Sequence, residues 1–415
     1  MLIDDFEHAA VPAFARKGFG SMVSVWITFQ VSTVMLYFGA ITIAHMDLWK
    51  ALLVAGIAAL IIACVSGVVG YLGAKTGLST SLLCEHVFGF RGGKCQQVFQ
   101  GLVEFGWFVV IVGLTGTTVG AMLHLTLRSG LSAVTFLTGC ISIVSVYFGF
   151  RGVRWVAVLS NPIIIAIFLF VVTAYIARTT GLVWRPAPTG PDFFSSITLA
   201  TGTFITGATL SADLMRFAST AKSGALAGFL TFLVTIPGLL LIGAIISMTN
   251  NGNPDFVLSV SRIGFGTLLL LWVILTNWTT ADTTLYLAII PLKKLTTLGR
   301  GALVVGTGLA GALVAALGVS SYISTWLTSL GILLPPLAGP LFVLAGRLFR
   351  GGQLPERSAG INWLAIMAWG IGVSVAAVAQ GTKLPGPPMW GMITSGLVYA
   401  ANTRMTNPII KVQKQ

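Results

Sequence analysis

Apolar runs of roughly twenty residues recur from one end of this chain to the other. Each could carry a helix across about 30 Å of hydrocarbon. Inside a bilayer only helices and closed β-barrels satisfy every backbone polar group. A barrel would be written in segments of about ten residues with alternating polarity, whereas these runs are continuously apolar. The chain therefore reads as an all-α polytopic membrane protein. Composition points the same way: of 415 residues, 55% are hydrophobic and 8% charged, where soluble domains carry about 25%.

The pattern predicts twelve spans, near 19–46, 50–73, 96–124, 130–150, 154–178, 193–217, 222–248, 264–291, 299–318, 320–346, 359–379 and 386–403, in one transmembrane domain over 1–415. Gly-rich or Pro-containing links separate most of them, with Pro385, Pro387 and Pro388 introducing the last. The acidic N-terminus has no basic region ahead of a short apolar core, so a cleaved signal peptide is not expected. The formal charge of +13 comes from 24 Lys and Arg. Only Lys50, Arg128, Arg178, Arg185, Arg262 and Lys383 fall in one set of alternate links; all the others lie in the set containing both termini. Such a bias places both termini in the cytoplasm and accounts for the basic composition without nucleic acid.

Orientation converts sequence distance into depth. Glu104 lies ten residues beyond Lys94, Asp282 eleven before Lys293, Thr206 ten before Arg216 and Thr28 eleven beyond Lys17. At about 1.5 Å per helical residue, all four sit about 15 Å in from the cytoplasmic charges. Spans 1, 3, 6 and 8 thus concentrate polar groups near the midplane.

A carboxylate at that depth is costly unless it faces a protein interior or cavity, which makes Glu104 a candidate reader of a substrate, ion or proton. Trp107 follows by three positions and shares its helix face. Span 6 holds Thr201, Thr203, Phe204, Thr206 and Thr209 among two glycines, a pattern suited to helix packing or to an interrupted helix whose free backbone lines a site. Span 8 holds Thr276, Asn277, Trp278, Thr279, Thr280, Asp282, Thr283 and Thr284. Consecutive hydroxyls with loose carbonyls are hard oxygen ligands suited to Na⁺. The neighbouring hydroxyls could equally satisfy Asp282 structurally, and Asp213 reads as a helix-end or gate partner of Arg216. Four cysteines and four histidines share no metal spacing. No Walker loop, dinucleotide fingerprint or nucleophile–base constellation occurs, which disfavours an enzyme or an ATP-driven pump.

At these residues the chain resembles the nucleobase:cation symporter-1 family, most closely its bacterial cytosine permease branch. The likeness runs through Ala15-Arg16-Lys17-Gly18, Gly70–Leu78 (GYLGAKTGL), Phe88–Gly92, Gly106-Trp107-Phe108, Ser211-Ala212-Asp213, Trp278-Thr279-Thr280 with Asp282, and Leu285-Tyr286. The resemblance implies two inverted five-helix repeats of the LeuT type, over 19–178 and 193–346, with accessory helices over 359–403. It implies a base sandwiched by Trp107 and Phe204, with Thr203, Thr206 and Asn277 around it. It also implies Na⁺ as coupling ion, held by carbonyls at Thr28 and Val31, a carbonyl at Thr276 and the hydroxyls of Thr279 and Thr280. No organic cofactor is implied. The setting would be a bacterial inner membrane, and the protein a monomer.

Departures from that pattern carry information. The cytosine permeases have Gln where this chain has Glu104, Ser where it has Thr203 and Thr206, and Asn where it has Ala281; the glycine expected near Thr28 is missing. An ionised Glu only accepts hydrogen bonds, where Gln both donates and accepts. The expected ligand therefore presents two adjacent N–H donors or a positive charge; cytosine stays in play through its amino and ring N–H groups, and an aminopyrimidine such as a thiamin precursor, or an amino-purine, competes with it. H⁺ coupling through Glu104 is the alternative to Na⁺, and a non-transporting receptor using the same pocket is a third reading.

Overall fold

The computed structural model describes residues 9–30, 33–125, 127–178, 184–187, 189–248 and 266–406. Val31 and Arg262 from the reading above lie outside them, and for Thr28 only the helical backbone is described. The described chain is built of helices, with one isolated parallel bridge between Lys17 and Ala218. In order these are α1 (Phe19–Gln30), α2 (Thr33–Ile43), α3 (Leu48–Thr76), α4 (Thr80–Met122), α5 (Arg128–Tyr147), α6 (Phe150–Arg178), α7 (Phe193–Gly202), α8 (Ile205–Thr209), α9 (Ser211–Met215), α10 (Ala221–Met248), α11 (Gly266–Leu295), α12 (Arg300–Ala316), α13 (Ile323–Leu333), α14 (Pro335–Phe349), α15 (Trp363–Gly381) and α16 (Pro387–Thr406).

Among the described residues six helical stretches are long and apolar enough to cross a membrane: α3, α4, α5, α10, Val319–Phe349 and α15. Several of the expected spans are not single helices. The sixth is divided into α7, α8 and α9; in the first, α1 and α2 are described and residues 31–32 between them lie outside the described residues. The tenth combines a 3-10 turn (Val319–Tyr322) with α13 and α14, which meet at Leu334 before Pro335 and Pro336. The third is preceded by a further helical stretch that starts at Thr80, and the two are joined within α4 by a kink at Gly89, whose φ of 79° and ψ of 166° are not helical. A side chain there would have to accept a left-handed φ and a Cβ only 2.5 Å from the Gly360 carbonyl oxygen.

Packing sorts the helices into groups. α3 lies along α10, which also supports α1 and α2, and α3 contacts α7, α8 and α9. α4 packs on α11 and α5, α12 on α5, and α11 on α6. α16 covers α14 and α15. Where hydrophobicity gives no drive between helices, close contact needs small residues. Gly39 and Gly243 answer each other across the α2–α10 contact: a Cβ on Gly39 would sit 2.0 Å from the Leu240 oxygen, and one on Gly243 1.9 Å from the Leu36 oxygen. The two backbones touch directly.

The segment before α1 is tied down by backbone. Lys17 N donates to Phe217 O (2.6 Å), Ser219 N to Lys17 O (2.9 Å) and Val11 N to Gly77 O (2.9 Å). Arg16 adds a bond from Nη1 to Ala74 O at 3.0 Å.

Candidate functional site

Phe204 (φ −138°, ψ 9°) separates α7 from α8. The helix ends there because the last turn of α7 tightens: Thr203 N bonds to Ala200 O (3.3 Å), and the Thr203 hydroxyl takes the same carbonyl at 2.6 Å. Thr206 then opens the next turn with its hydroxyl turned toward α4. There Trp107 Nε1 donates to Thr206 Oγ1 at 3.1 Å. This bond joins the α3–α10 group to the α4–α11 group across the layer where the sequence concentrates polar side chains. Trp107 is 8% exposed, Thr206 4% and Thr203 3%.

An aromatic run surrounds the junction. Phe38 of α2 stands 5.8 Å from the Trp107 ring, while Phe204 rests on Phe232 of α10 at 5.2 Å, which in turn meets Trp26 of α1 at 4.9 Å. The sequence reading selected Trp107 and Phe204 but missed Phe38, Phe232 and Trp26. Aromatic residues in apolar spans are ordinary packing, and only the fold singles these out.

Glu104 lies one turn before Trp107 on α4 and is 5% exposed. The ion pairs among the described residues are Asp47–Lys50 and Glu85–Arg357, so neither reaches Glu104. Gln100, one further turn back, lies near enough to influence the Glu104 carboxylate, yet neither of its amide atoms closes a hydrogen bond. With Gln96 and Gln97, also buried, these residues make a polar stripe along one side of α4. Its spacing was visible in the sequence and was overlooked. A second missed amide is Gln30 of α1, fully buried, whose Oε1 accepts from the Thr235 hydroxyl while Nε2 has no partner.

On α11 the hydroxyls of Thr279 and Thr280 both donate to the Thr276 carbonyl, each at 2.8 Å. Thr bonding back to its own helix is common in apolar segments; two such bonds on one carbonyl gather three oxygens at a point. Each hydroxyl keeps a lone pair. Hard oxygen donors so gathered fit Na⁺. Asn277 is drawn into the α4–α11 contact, its Nδ2 donating to Thr115 Oγ1 at 2.8 Å. Thr115 is eight residues beyond Trp107, about 12 Å along the helix, so the structure sets Asn277 apart from the Trp107–Thr206 pair.

Asp213 does not simply pair with Arg216. Its Oδ1 accepts from Thr80 N (3.2 Å) at the start of α4, where a carboxylate also complements the helix dipole. Arg216 Nε bonds the Asp213 carbonyl at 3.1 Å. The neighbouring hydroxyls do not satisfy Asp282: Thr283 donates to Thr279 O and Thr284 to Thr280 O.

A family model described as a permease for cytosine/purines, uracil, thiamine and allantoin matches residues 15–398. The chain belongs to this permease family. The cytosine permease of Escherichia coli (strain K12) is 28% identical over 418 residues, which cover 98% of this chain and 95% of that relative. Among solved structures, inward-facing Mhp1 superposes with a TM-score of 0.78 at 17% identity, covering 96% of this chain and 93% of Mhp1. Mhp1, a nucleobase-cation-symport-1 family transporter, in a closed conformation with bromovinylhydantoin bound, gives 0.73 at 17%, covering 97% and 96%. At that identity the likeness shows the fold. This permease is accordingly a multi-pass membrane protein of a nucleobase transporter family, and its relatives are transporters rather than enzymes.

Proposed function

We propose that this permease imports cytosine or a related amino-substituted nucleobase or pyrimidine by alternating access, coupled to Na⁺. The observation that carries the reading is the Trp107–Thr206 bond (3.1 Å) beside buried Glu104. An indole held by its own N–H is a fixed stacking platform, and a carboxylate one turn away accepts N–H bonds from the edge of a base lying on it. Phe204 closes the other side of the base, and Thr203 and Thr206 flank it.

The Thr276 carbonyl and the Thr279 and Thr280 hydroxyls, with carbonyls at Thr28 and Val31, would hold the Na⁺. Bound there, the ion supplies the driving force by linking the first span to α11. Twelve spans arranged as two inverted repeats, 19–178 and 193–346, with 359–403 accessory, suit this scheme, as do cytoplasmic termini in a bacterial inner membrane. A monomer is sufficient for it.

Uptake of labelled cytosine with Na⁺ replaced by choline at constant pH tests the coupling; undiminished uptake would remove Na⁺ from the scheme. Glu104→Gln is expected to improve cytosine recognition relative to ligands with two adjacent N–H donors, and an unchanged preference would remove Glu104 as the reader. One specific observation favours a second reading, H⁺ coupling: Glu104 is buried with neither ion pair reaching it. Uptake driven by a pH gradient without Na⁺, and lost in Glu104→Gln, would select it.

A further inference from the structure

Asp282 is the buried acid that the transport scheme above leaves unused. It is 0% exposed, and neither carboxylate oxygen meets a hydrogen-bond donor. No Lys or Arg among the described residues forms an ion pair with it. The polar groups that approach it are Ser142 and Ser145 of α5, themselves buried, and Trp278 one turn back on α11. These groups bond one another instead: Trp278 Nε1 donates to Ser145 Oγ (3.2 Å), and Ser145 Oγ donates to the Ser142 carbonyl (3.1 Å).

A buried carboxylate with no counter-charge costs several kcal/mol. Oxygens gathered around it without bonding to it match the needs of a hard cation. Ligands held about 2.3–2.6 Å from a shared ion stand farther from one another than hydrogen-bonded pairs do. The location is also distinct. At 100° per residue, Asp282 points about 120° away from Thr276 around α11. Trp278 and Asp282, four apart, share the side that faces α5; Thr279 stands about 60° from Asp282, while Thr276 and Thr280 lie about 120° and 160° away.

We propose that Asp282, with the hydroxyl oxygens of Ser142 and Ser145, forms a second site for a hard monovalent cation, between α5 and α11 and turned away from the Thr276 carbonyl and the Thr280 hydroxyl. The ion neutralises the carboxylate and fastens α5 to α11.

Equilibrium binding of sodium-22 to the purified full-length protein, at fixed pH in a choline background, tests the site. The Thr279→Ala/Thr280→Ala variant is expected to retain one saturable sodium ion per chain. Adding Asp282→Asn should abolish that ion, and adding Ser145→Ala, which keeps the carboxylate, should raise its Kd. No retained ion in Thr279→Ala/Thr280→Ala would overturn the proposal, as would an ion indifferent to both further changes. Should Asp282→Asn fail to fold, the Ser145→Ala arm decides: an unchanged Kd counts against the site. Retained sodium together with Na⁺-independent uptake leaves this site standing while removing Na⁺ as coupling ion, so the two readings fail separately.

Discussion

The bond between Trp107 and Thr206 allows the positioning role of a hydroxyl to be weighed against a direct one. Thr206→Val keeps shape and removes the acceptor of the 3.1 Å bond. Without it the indole must be ordered when ligand binds, which costs about 0.5–1.5 kcal/mol for a freed side chain. At about 1.4 kcal/mol per tenfold, base affinity should fall roughly two- to tenfold. Trp107→Ala should cost more, because stacking of a base on an aromatic ring contributes about 1–3 kcal/mol, or roughly five- to 150-fold. The diagnostic variant is Trp107→Phe, which retains a ring but has no N–H. If Thr206 acts through the indole, Thr206→Val adds nothing in the Trp107→Phe background. A double-mutant cycle on binding of radiolabelled cytosine then gives a coupling energy of about 1 kcal/mol, the net value of one hydrogen bond. Additive losses would refute positioning and assign Thr206 a contact with the base itself.

Other consequences are open to measurement. Gly243→Ala places a methyl 1.9 Å from the Leu36 oxygen; the α2 and α10 backbones must part, at a cost of about 1–3 kcal/mol, read as a lower melting temperature, while Gly306→Ala, which meets nothing within 4 Å, should leave it unchanged. Arg357→Ala strands the Glu85 carboxylate, whose partner lies at 3.0 Å and is half exposed; with that exposure discounted, the loss is about 1 kcal/mol, and it should shrink in high salt. Asp192 caps α7 through the Phe194 and Ser195 amides. Burial pushes its carboxyl up, but the Ser195 amide and hydroxyl, the Phe194 amide and the charge of Lys383 outweigh that and hold it below the usual carboxylate range of 3.8. A folded value below the unfolded one means its stabilisation is present above about pH 4 and is lost as pH falls through the folded value. Melting curves between pH 3 and 6 should therefore flatten at the acid end in Asp192→Asn.

What could be read before the structure depended on whether a residue type is costly where it stands. Glu104 and Asp282 announce themselves, since charge at that depth needs a reason. Trp107 was found through its spacing from Glu104. Phe38 and Phe232 could not be found that way, because aromatics in apolar runs carry no penalty, and their role comes from helices adjacent only in the fold. Breaks were partly legible: Thr and Gly around Phe204 pointed to an interrupted helix, and the structure divides the span there. The early start of α4 was missed because Glu85, His86, Arg91 and Lys94 read as a polar link. The structure instead folds them into helix around Gly89, with Glu85 held by Arg357 and His86 Nδ1 against the Pro355 carbonyl.

The packing groups give the candidate site its leverage. Glu104 and Trp107 belong to the helices around α4 and α11, while Phe204 and Thr206 belong to those around α3 and α10. A base lying between Trp107 and Phe204 would touch both groups, whereas one held by α4 alone would not feel their relative placement. A ligand shifts a conformational equilibrium only by its difference in affinity between the two states. Contacts divided between two groups are therefore the kind whose strength changes when the groups move. Backbone bonds such as Lys17 N to Phe217 O, which tie α1 and α9 within one group, are indifferent to that movement. Transport variants should accordingly separate by location. Changes at Thr206 or Trp107 should alter apparent affinity and turnover together. Loss of the Arg16 bonds to Ala74 and Val11, internal to one end, should reduce stability with the affinity of folded protein intact; an Arg16→Ala variant of normal stability but weakened base binding would contradict this division.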